Sequence, residues 1–309
     1  MKVLISSYHM NLVLKKYLRV LKKKKIKIDK IIRNPSVKEN ELIKIIHKYD
    51  GVICSDDEFS KKVLLKAKKL KVISKWGTGI DSIDSSFAKK KGIKVFNTPG
   101  AFTSGVAQYA LGMILNLSRK LLQSDKSLKE GNWKKFQGIN IDNKKIGVIG
   151  LGNIGSQIIK YLRGFDVVIC GNDTNKTKNR LFKQRGIKIL GLNKIFNYCD
   201  IIVVCVDLNK SSHHLIGLKQ MMKLDENKIL INISRGPVVD NKSLLKAINK
   251  KKFQIGFDVF EEEPITKKAL SILKKKNSIL SSHNAFNTQE DVNFVHDNTI
   301  QNLLKGLKN

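Results

Sequence analysis

The sequence predicts an α/β protein with two doubly wound parallel-sheet domains. Three observations carry this. Short apolar runs alternate with helix-length amphipathic stretches from end to end. The runs fall into two sets, with the pattern broken near residues 97–101 by NTPG. The second set opens with a run that leads through a glycine-rich turn into a helix.

In the first set the expected strands are KVLIS (2–6), KIDKIIR (27–33), GVICS (51–55), KVISKW (71–76) and IKVFN (93–97). Helical stretches lie between them, ENELIKIIHKY (39–49) and SKKVLLKAKK (60–69). A longer helix is expected over 102–118. Its apolar part, GVAQYALGMILNL, is interrupted by Gln108 and Asn116, which suits a buried helix and not a membrane span. A polar stretch with Gly131 and Trp133 follows. The second set reads KIGVIG, DVVICGN, IKIL, CDIIVVCV, KILINIS, QIGFDVF and SILSSH, and TQEDVNFVHDNTIQNLLKGLK (288–308) has helical periodicity. No further domain is expected after it.

At 309 residues with 41% hydrophobic content, the chain can bury two cores. MKVLISSYHM carries no signal-peptide pattern, so a cytoplasmic protein is expected. Cys54, Cys170, Cys199 and Cys205 form no CxxC pair or metal-ligand cluster and read as buried free thiols. The formal net charge is +33, from 59 Lys+Arg against 26 Asp+Glu. Only seven of the cations are Arg, and the lysines spread over the whole chain in short runs (22–25, 89–91, 250–252, 274–276) where helices would end. That distribution, without aromatic–arginine interleaving, argues against a nucleic-acid partner.

The motif with the most chemistry is KKIGVIGLGNIGSQIIKYLRGF (144–165). Gly150, Gly152 and Gly155 form GxGxxG between a strand and a helix. The first glycine makes the tight turn, the second admits a pyrophosphate, and the third lets helix pack on strand. Asp173 stands eighteen residues beyond Gly155, at the end of the next strand, where an acid accepts hydrogen bonds from a ribose. A carboxylate there repels a 2′-phosphate, so NAD is expected over NADP. Lys176 and Arg180 are nearby.

GLGNIG with its acid, INISRGPVVD (231–240), FDVFEEEP (257–264) and SSHNAFNTQE (281–290) together resemble the D-isomer-specific 2-hydroxyacid dehydrogenases. KWGTGIDSID (75–84), GIKVFNTPG (92–100) and SGVAQYALGMIL (104–115) look like the same family's substrate-domain loop and interdomain helix, so the match runs in order over most of residues 50–290. The resemblance implies a Rossmann NAD-binding domain, residues 99–284, inserted into a flavodoxin-like substrate domain of residues 1–98 and 285–309, with the active site in the cleft between them. It also implies a homodimer.

Hydride transfer between nicotinamide and a 2-hydroxy acid needs a proton-exchanging group, a cation for the carboxylate and an oriented cofactor. Arg235, at a strand's carboxyl end beside glycine and proline, has the planar fork to clamp a carboxylate. Six histidines compete for the proton. His9, His47 and His296 lie in terminal or helical segments, and His213 and His214 could cap a turn. His283, after the last strand, is the candidate by position and by resemblance. The resemblance assigns its supporting carboxylate to Glu263, five residues after Asp258 and just before a proline, and sets Asp258 against the nicotinamide carboxamide. Glu261 and Glu262 are then expected to face water. It further implies cofactor contacts at Thr103, Asn153, Ile154, Val206, Ser234 and Ala285, and substrate contacts at Lys75, Thr78 and Gly79. No metal is expected.

Several positions depart from the family pattern. Ser55–Glu58 reads SDDE where phosphoglycerate enzymes often carry an arginine, and Gln108, Asp207, Asn209 and Ser282 replace a usual glutamate, proline, threonine and proline. The substrate therefore stays among 3-phosphoglycerate, hydroxypyruvate and glyoxylate. A protein that only senses NAD(H) is the alternative from another class.

Overall fold

The computed structural model describes residues 1–32, 36–274 and 278–308. Arg33, at the end of the second expected strand, and Lys275 and Lys276, in the last lysine run, lie outside the described residues. The chain forms two compact units, Met1–Phe102 with Thr288–Asn309, and Thr103–Asn287. They divide a few residues later than the 98/99 and 284/285 boundaries read from the sequence, because the chain changes unit where the helices Thr103–Arg119 and Gln289–Leu307 begin.

The first unit holds a five-stranded sheet of β1 (Lys2–Ile5), β2 (Lys27–Lys30), β3 (Gly51–Cys54), β4 (Val72–Lys75) and β5 (Lys94–Phe96). Its order is β2-β1-β3-β4-β5 and every pairing is parallel, the flavodoxin-like winding. β3 and β4 are buried on both faces, and GVIC of β3 reads as an unbroken apolar run, whereas KIDK of β2 is an edge strand and carries charge. The helix Gln289–Leu307 starts at Thr288, whose Oγ1 accepts from Asp291 N, with Glu290 and Asp291 in its first turn. It lies on this sheet, where Ser74 Oγ donates to Thr299 O (2.8 Å).

The second unit holds seven strands, β6 (Lys145–Ile149), β7 (Val168–Asn172), β8 (Lys188–Ile189), β9 (Ile201–Val204), β10 (Ile229–Asn232), β11 (Gln254–Phe257) and β12 (Ser278–Leu280). They are parallel throughout in the order β12-β11-β10-β9-β6-β7-β8. The order reverses between β6 and β9, and the carboxyl ends of these two strands flank the crevice where such sheets take ligands. Phe196, Ile202, Leu230 and Phe257 centre the core, all at most 2% exposed.

The lysine runs behave as expected where described. Helices Leu18–Lys23, Ser85–Lys90 and Asn241–Lys250 end in them. Lys228 is buried, and its ammonium donates to the carbonyls of Phe196, Asn197 and Cys199, closing the helix Leu192–Tyr198. All four cysteines are free. Among the described residues no helix is long and apolar enough to cross a membrane.

Candidate active site

Sterics fix the glycine turn. Gly150 has φ +99°, and a Cβ there would lie 2.6 Å from the Cys205 carbonyl oxygen beyond β9. A Cβ on Gly155 would lie 1.9 Å from Gly150 O, so the helix Asn153–Leu162 can approach β6 only with glycine at that position. At Gly152 a Cβ would meet nothing within 4 Å, which leaves the start of the helix open. Asn153 is exposed and Ile154 half-buried on that first turn. The space and the unpaired helix N–H groups fit a dinucleotide pyrophosphate.

Asp173 is bonded onto the same turn. Its Oδ2 accepts from Leu151 N and its Oδ1 from Asn175 N, both at 2.8 Å, and Lys178 Nζ stands at 3.8 Å. Two bonds leave the carboxylate further acceptor capacity for a ribose. Cys205 donates its thiol to Ile149 O and Gly150 O, and burial pushes that thiol up to about 12. Val206 and Thr103 are half-buried.

Arg235 follows β10 in a loop organised by Asn232, which is fully buried. Asn232 Oδ1 accepts from Ser234 N (3.1 Å) and Ser234 Oγ (2.7 Å), while its Nδ2 donates to Arg235 O (3.3 Å). Arg235 is half-buried and its Nη1 donates to Ser234 O (2.9 Å). Gly236 presses directly on the loop after β11. A Cβ there would fall 1.9 Å from Phe260 C and 2.4 Å from Glu261 N.

Asp258 closes β11 and is 1% exposed. Its Oδ1 accepts from Ser281 Oγ (2.6 Å) and Asn284 N (2.7 Å), its Oδ2 from Ala285 N (3.0 Å), and its carbonyl accepts from His283 N (2.7 Å). Besides the cofactor contact expected of it, Asp258 therefore holds the whole turn that displays His283. That turn puts His283 at φ +54°, uncommon for a residue with a Cβ. Ala285 is buried in the same turn.

His283 Nδ1 lies 2.9 Å from Glu263 Oε2, and Glu263 Oε1 accepts from Phe260 N (3.0 Å). An ionised carboxylate only accepts, so beside one the ring carries its proton on Nδ1, which leaves Nε2 for proton exchange. Each side chain of the pair is about one third exposed.

Glu262 is exposed, as expected, but Glu261 is not a water-facing neighbour. Glu261 Oε2 accepts from Asn241 N (2.9 Å), and Oε1 lies 2.9 Å from His214 Nε2. The physical reason is the helix Asn241–Lys250, whose first-turn N–H groups need acceptors and whose N-cap Asp240 takes Lys242 N. His214, Asp240 and Glu261 bring their ligand-type atoms within 4.8 Å of one another.

Lys75, Thr78 and Gly79 belong to the first unit, at the carboxyl end of β4. The Lys75 side chain is 5% exposed, and its ammonium donates to Asp56 Oδ1 (2.9 Å) and Trp76 O (3.4 Å). Thr78 O accepts from Asn97 Nδ2. Gly79 is half-buried. Next to Asp56, Asp57 is buried and accepts from Ser6 Oγ, Val37 N and Ser55 N, and burial raises its carboxyl above the usual range. Sequence reasoning missed Asn232, the Glu261–His214 contact and the Lys75–Asp56 pair. Only Asn232 left a signal, as an amide in the apolar run KILINIS.

The model of the D-isomer specific 2-hydroxyacid dehydrogenase NAD-binding domain matches residues 111–285. A D-3-phosphoglycerate dehydrogenase of Archaeoglobus fulgidus is 35% identical over 274 residues, 86% of this chain and 52% of the relative. A hydroxypyruvate reductase of Thermotoga maritima is 32% identical over 281 residues, 89% of this chain and 90% of the relative. The structure of a D-lactate dehydrogenase from Aquifex aeolicus, complexed with NAD and lactic acid, is 28% identical with TM-score 0.84, over 97% of this chain and 93% of that one. The chain spans about half the length of the phosphoglycerate dehydrogenase relative and most of the other two. NAD is accordingly the cofactor of the second unit.

Proposed function

The chain belongs to the D-isomer-specific 2-hydroxyacid dehydrogenase family, and from that premise we propose an oxidoreductase acting between NAD and the C2 centre of a small D-2-hydroxy acid or 2-keto acid. The observation that carries the reading is the 2.9 Å contact of Glu263 with His283, on a loop pressed against the one that bears Arg235. The Gly150–Gly155 turn and Asp173 would hold NAD, which would supply or accept the hydride when bound. Arg235 takes the substrate carboxylate and draws charge from the adjacent carbonyl. His283 Nε2 gives a proton to the C2 oxygen in reduction and takes it back in oxidation, while Glu263 orients the ring and stabilises its charged form.

The substrate-binding role of Lys75, Thr78 and Gly79 rests on the sequence. Within the first unit the Lys75 charge is already met by Asp56, with Asp57 next in the chain. A loop so balanced does not favour a phosphate, so an unphosphorylated acid of the hydroxypyruvate or glyoxylate kind is placed ahead of 3-phosphoglycerate. The preference for NAD over NADP follows from Asp173. A cytoplasmic homodimer is part of the same proposal and also rests on the sequence.

The test is NADH oxidation with glyoxylate, hydroxypyruvate, phosphohydroxypyruvate and pyruvate, for wild type and His283→Ala. The expected result is turnover of an unphosphorylated keto acid, lowered about 10²–10⁴-fold in the variant, the range for losing a general acid–base. Undiminished turnover in the variant refutes the role of His283. Tight NADH binding with no turnover of any keto acid favours the sensing protein.

A further inference from the structure

We infer that Glu261 and His214 are positioning residues that lock the Arg235 loop to the Glu263–His283 pair. The inference rests on the catalytic reading above and adds two residues that it does not use. A substrate held by Arg235 and protonated by His283 demands a fixed distance between two loops, one after β10 and one after β11. A misplacement of about 1 Å can cost about a hundredfold in rate.

Among the described residues three ties join these loops, and two of them pass through the side chain of Glu261 or of His214. The first is the bare backbone contact of Gly236 with Phe260 and Glu261, which has no room for a methyl group. The second runs through the Glu261 carboxylate to Asn241 N, just beyond the Arg235 loop. The third starts at the other Glu261 oxygen, crosses the His214 ring, and returns through His214 N to Pro237 O (2.8 Å). The backbone on either side reinforces it, with Ile216 N donating to Val238 O and Asp240 N to Ile216 O, both at 3.0 Å. His214 itself sits at φ +52°, a conformation that persists in a non-glycine residue only when its surroundings hold it. Asp240 and His213 flank the same ring. Two residues after Glu261, Glu263 grips His283. One path from guanidinium to imidazole therefore runs through Glu261.

A plain helix cap would give the same bond to Asn241 but no effect on turnover at constant cofactor affinity. The test compares wild type with Glu261→Ala, Glu261→Gln, His214→Ala and the double alanine variant, with exposed Glu262→Gln as control. With the best keto acid, each single alanine variant should lower kcat about tenfold or more, with NADH affinity within about twofold of wild type. The double variant should lose little more than the worse single, since both residues serve one clamp. Glu261→Gln should recover most of the rate, because its oxygen still accepts from Asn241 N and its amide reaches His214. Unchanged kcat, additive losses, or loss of NADH affinity in parallel with kcat would each overturn the clamp. A second readout is independent of turnover. In Glu261→Ala, amide exchange should accelerate over residues 235–241 and stay unchanged in β6 and β7. Unchanged exchange over 235–241 refutes the clamp. Accelerated exchange in a protein that reduces no keto acid supports the clamp and refutes only the catalytic reading.

Discussion

Replacing Asp258 with asparagine asks how much of the His283 turn hangs on one buried carboxylate. The carboxylate accepts three hydrogen bonds through two oxygens, from Ser281 Oγ, Asn284 N and Ala285 N. An amide of the same shape offers one oxygen. In either orientation a backbone N–H faces an NH₂ group and loses its acceptor, at about 1–3 kcal/mol for a buried donor. The bonds that survive become neutral and weaken by about 1 kcal/mol each. The expected loss is about 3 kcal/mol, which for a unit of this size lowers the melting temperature by roughly 6–12 °C. Thermal unfolding of the cofactor-free protein reads this without any contribution from a nicotinamide contact. Turnover at 25 °C should fall with it, since His283 N is bonded to the Asp258 carbonyl. A variant that melts within about 1 °C of wild type and keeps its kcat would refute the view that Asp258 holds this turn.

Glu263→Gln should move the limb of the pH–activity profile that belongs to His283 toward lower pH, because a neutral amide no longer stabilises the charged ring; an unmoved limb would remove Glu263 from the mechanism. His296 gives a pH effect on stability instead. Burial in the first unit, followed by the Lys16 charge, holds its ring below the ordinary histidine range, and its Nε2 has no hydrogen-bond partner. Below about pH 6.5 the unfolded chain binds a proton that the folded one refuses, so stability falls as pH falls until the folded ring also titrates. His296→Phe should flatten that slope between pH 7.5 and pH 5.5 in thermal melts, and an unchanged slope would assign the acid sensitivity elsewhere.

The strands were legible because parallel sheets buried on both faces write their strands as apolar, β-branched runs, as GVIC and ILIN do. Two short helices were not. Tyr8–Val13 spans six residues, too few for a period to emerge. Leu121–Lys129 turns Leu121, Leu122 and Leu128 outward, each more than half exposed, so its pattern reads as an irregular polar stretch. In the site, the family resemblance, applied by counting five residues from Asp258 to the one before the proline, singled out the glutamate now found beside His283. Which of three adjacent glutamates would be tied down by a helix N-terminus was not legible. That depends on residues 214 and 241 arriving from elsewhere in the chain. The Lys75–Asp56 pair was hidden for the same reason, since the two residues stand at the ends of adjacent strands and nineteen positions apart.

The assignment of the helix Gln289–Leu307 to the first unit reverses the usual order of events on the ribosome. Domains generally fold as they emerge, the amino-terminal one first. Here the second unit is a single continuous stretch, Thr103–Asn287, and is complete before that helix is made. The first sheet is synthesised before the second unit, yet it waits for the helix Gln289–Leu307 to place Thr299 against Ser74. Until then Val72, which packs against Gly306 of that helix, lacks the cover that buries it in the finished protein. Of the two units the one begun first is thus the later to mature, and a chain interrupted after residue 287 would carry a finished cofactor unit and an unfinished first unit.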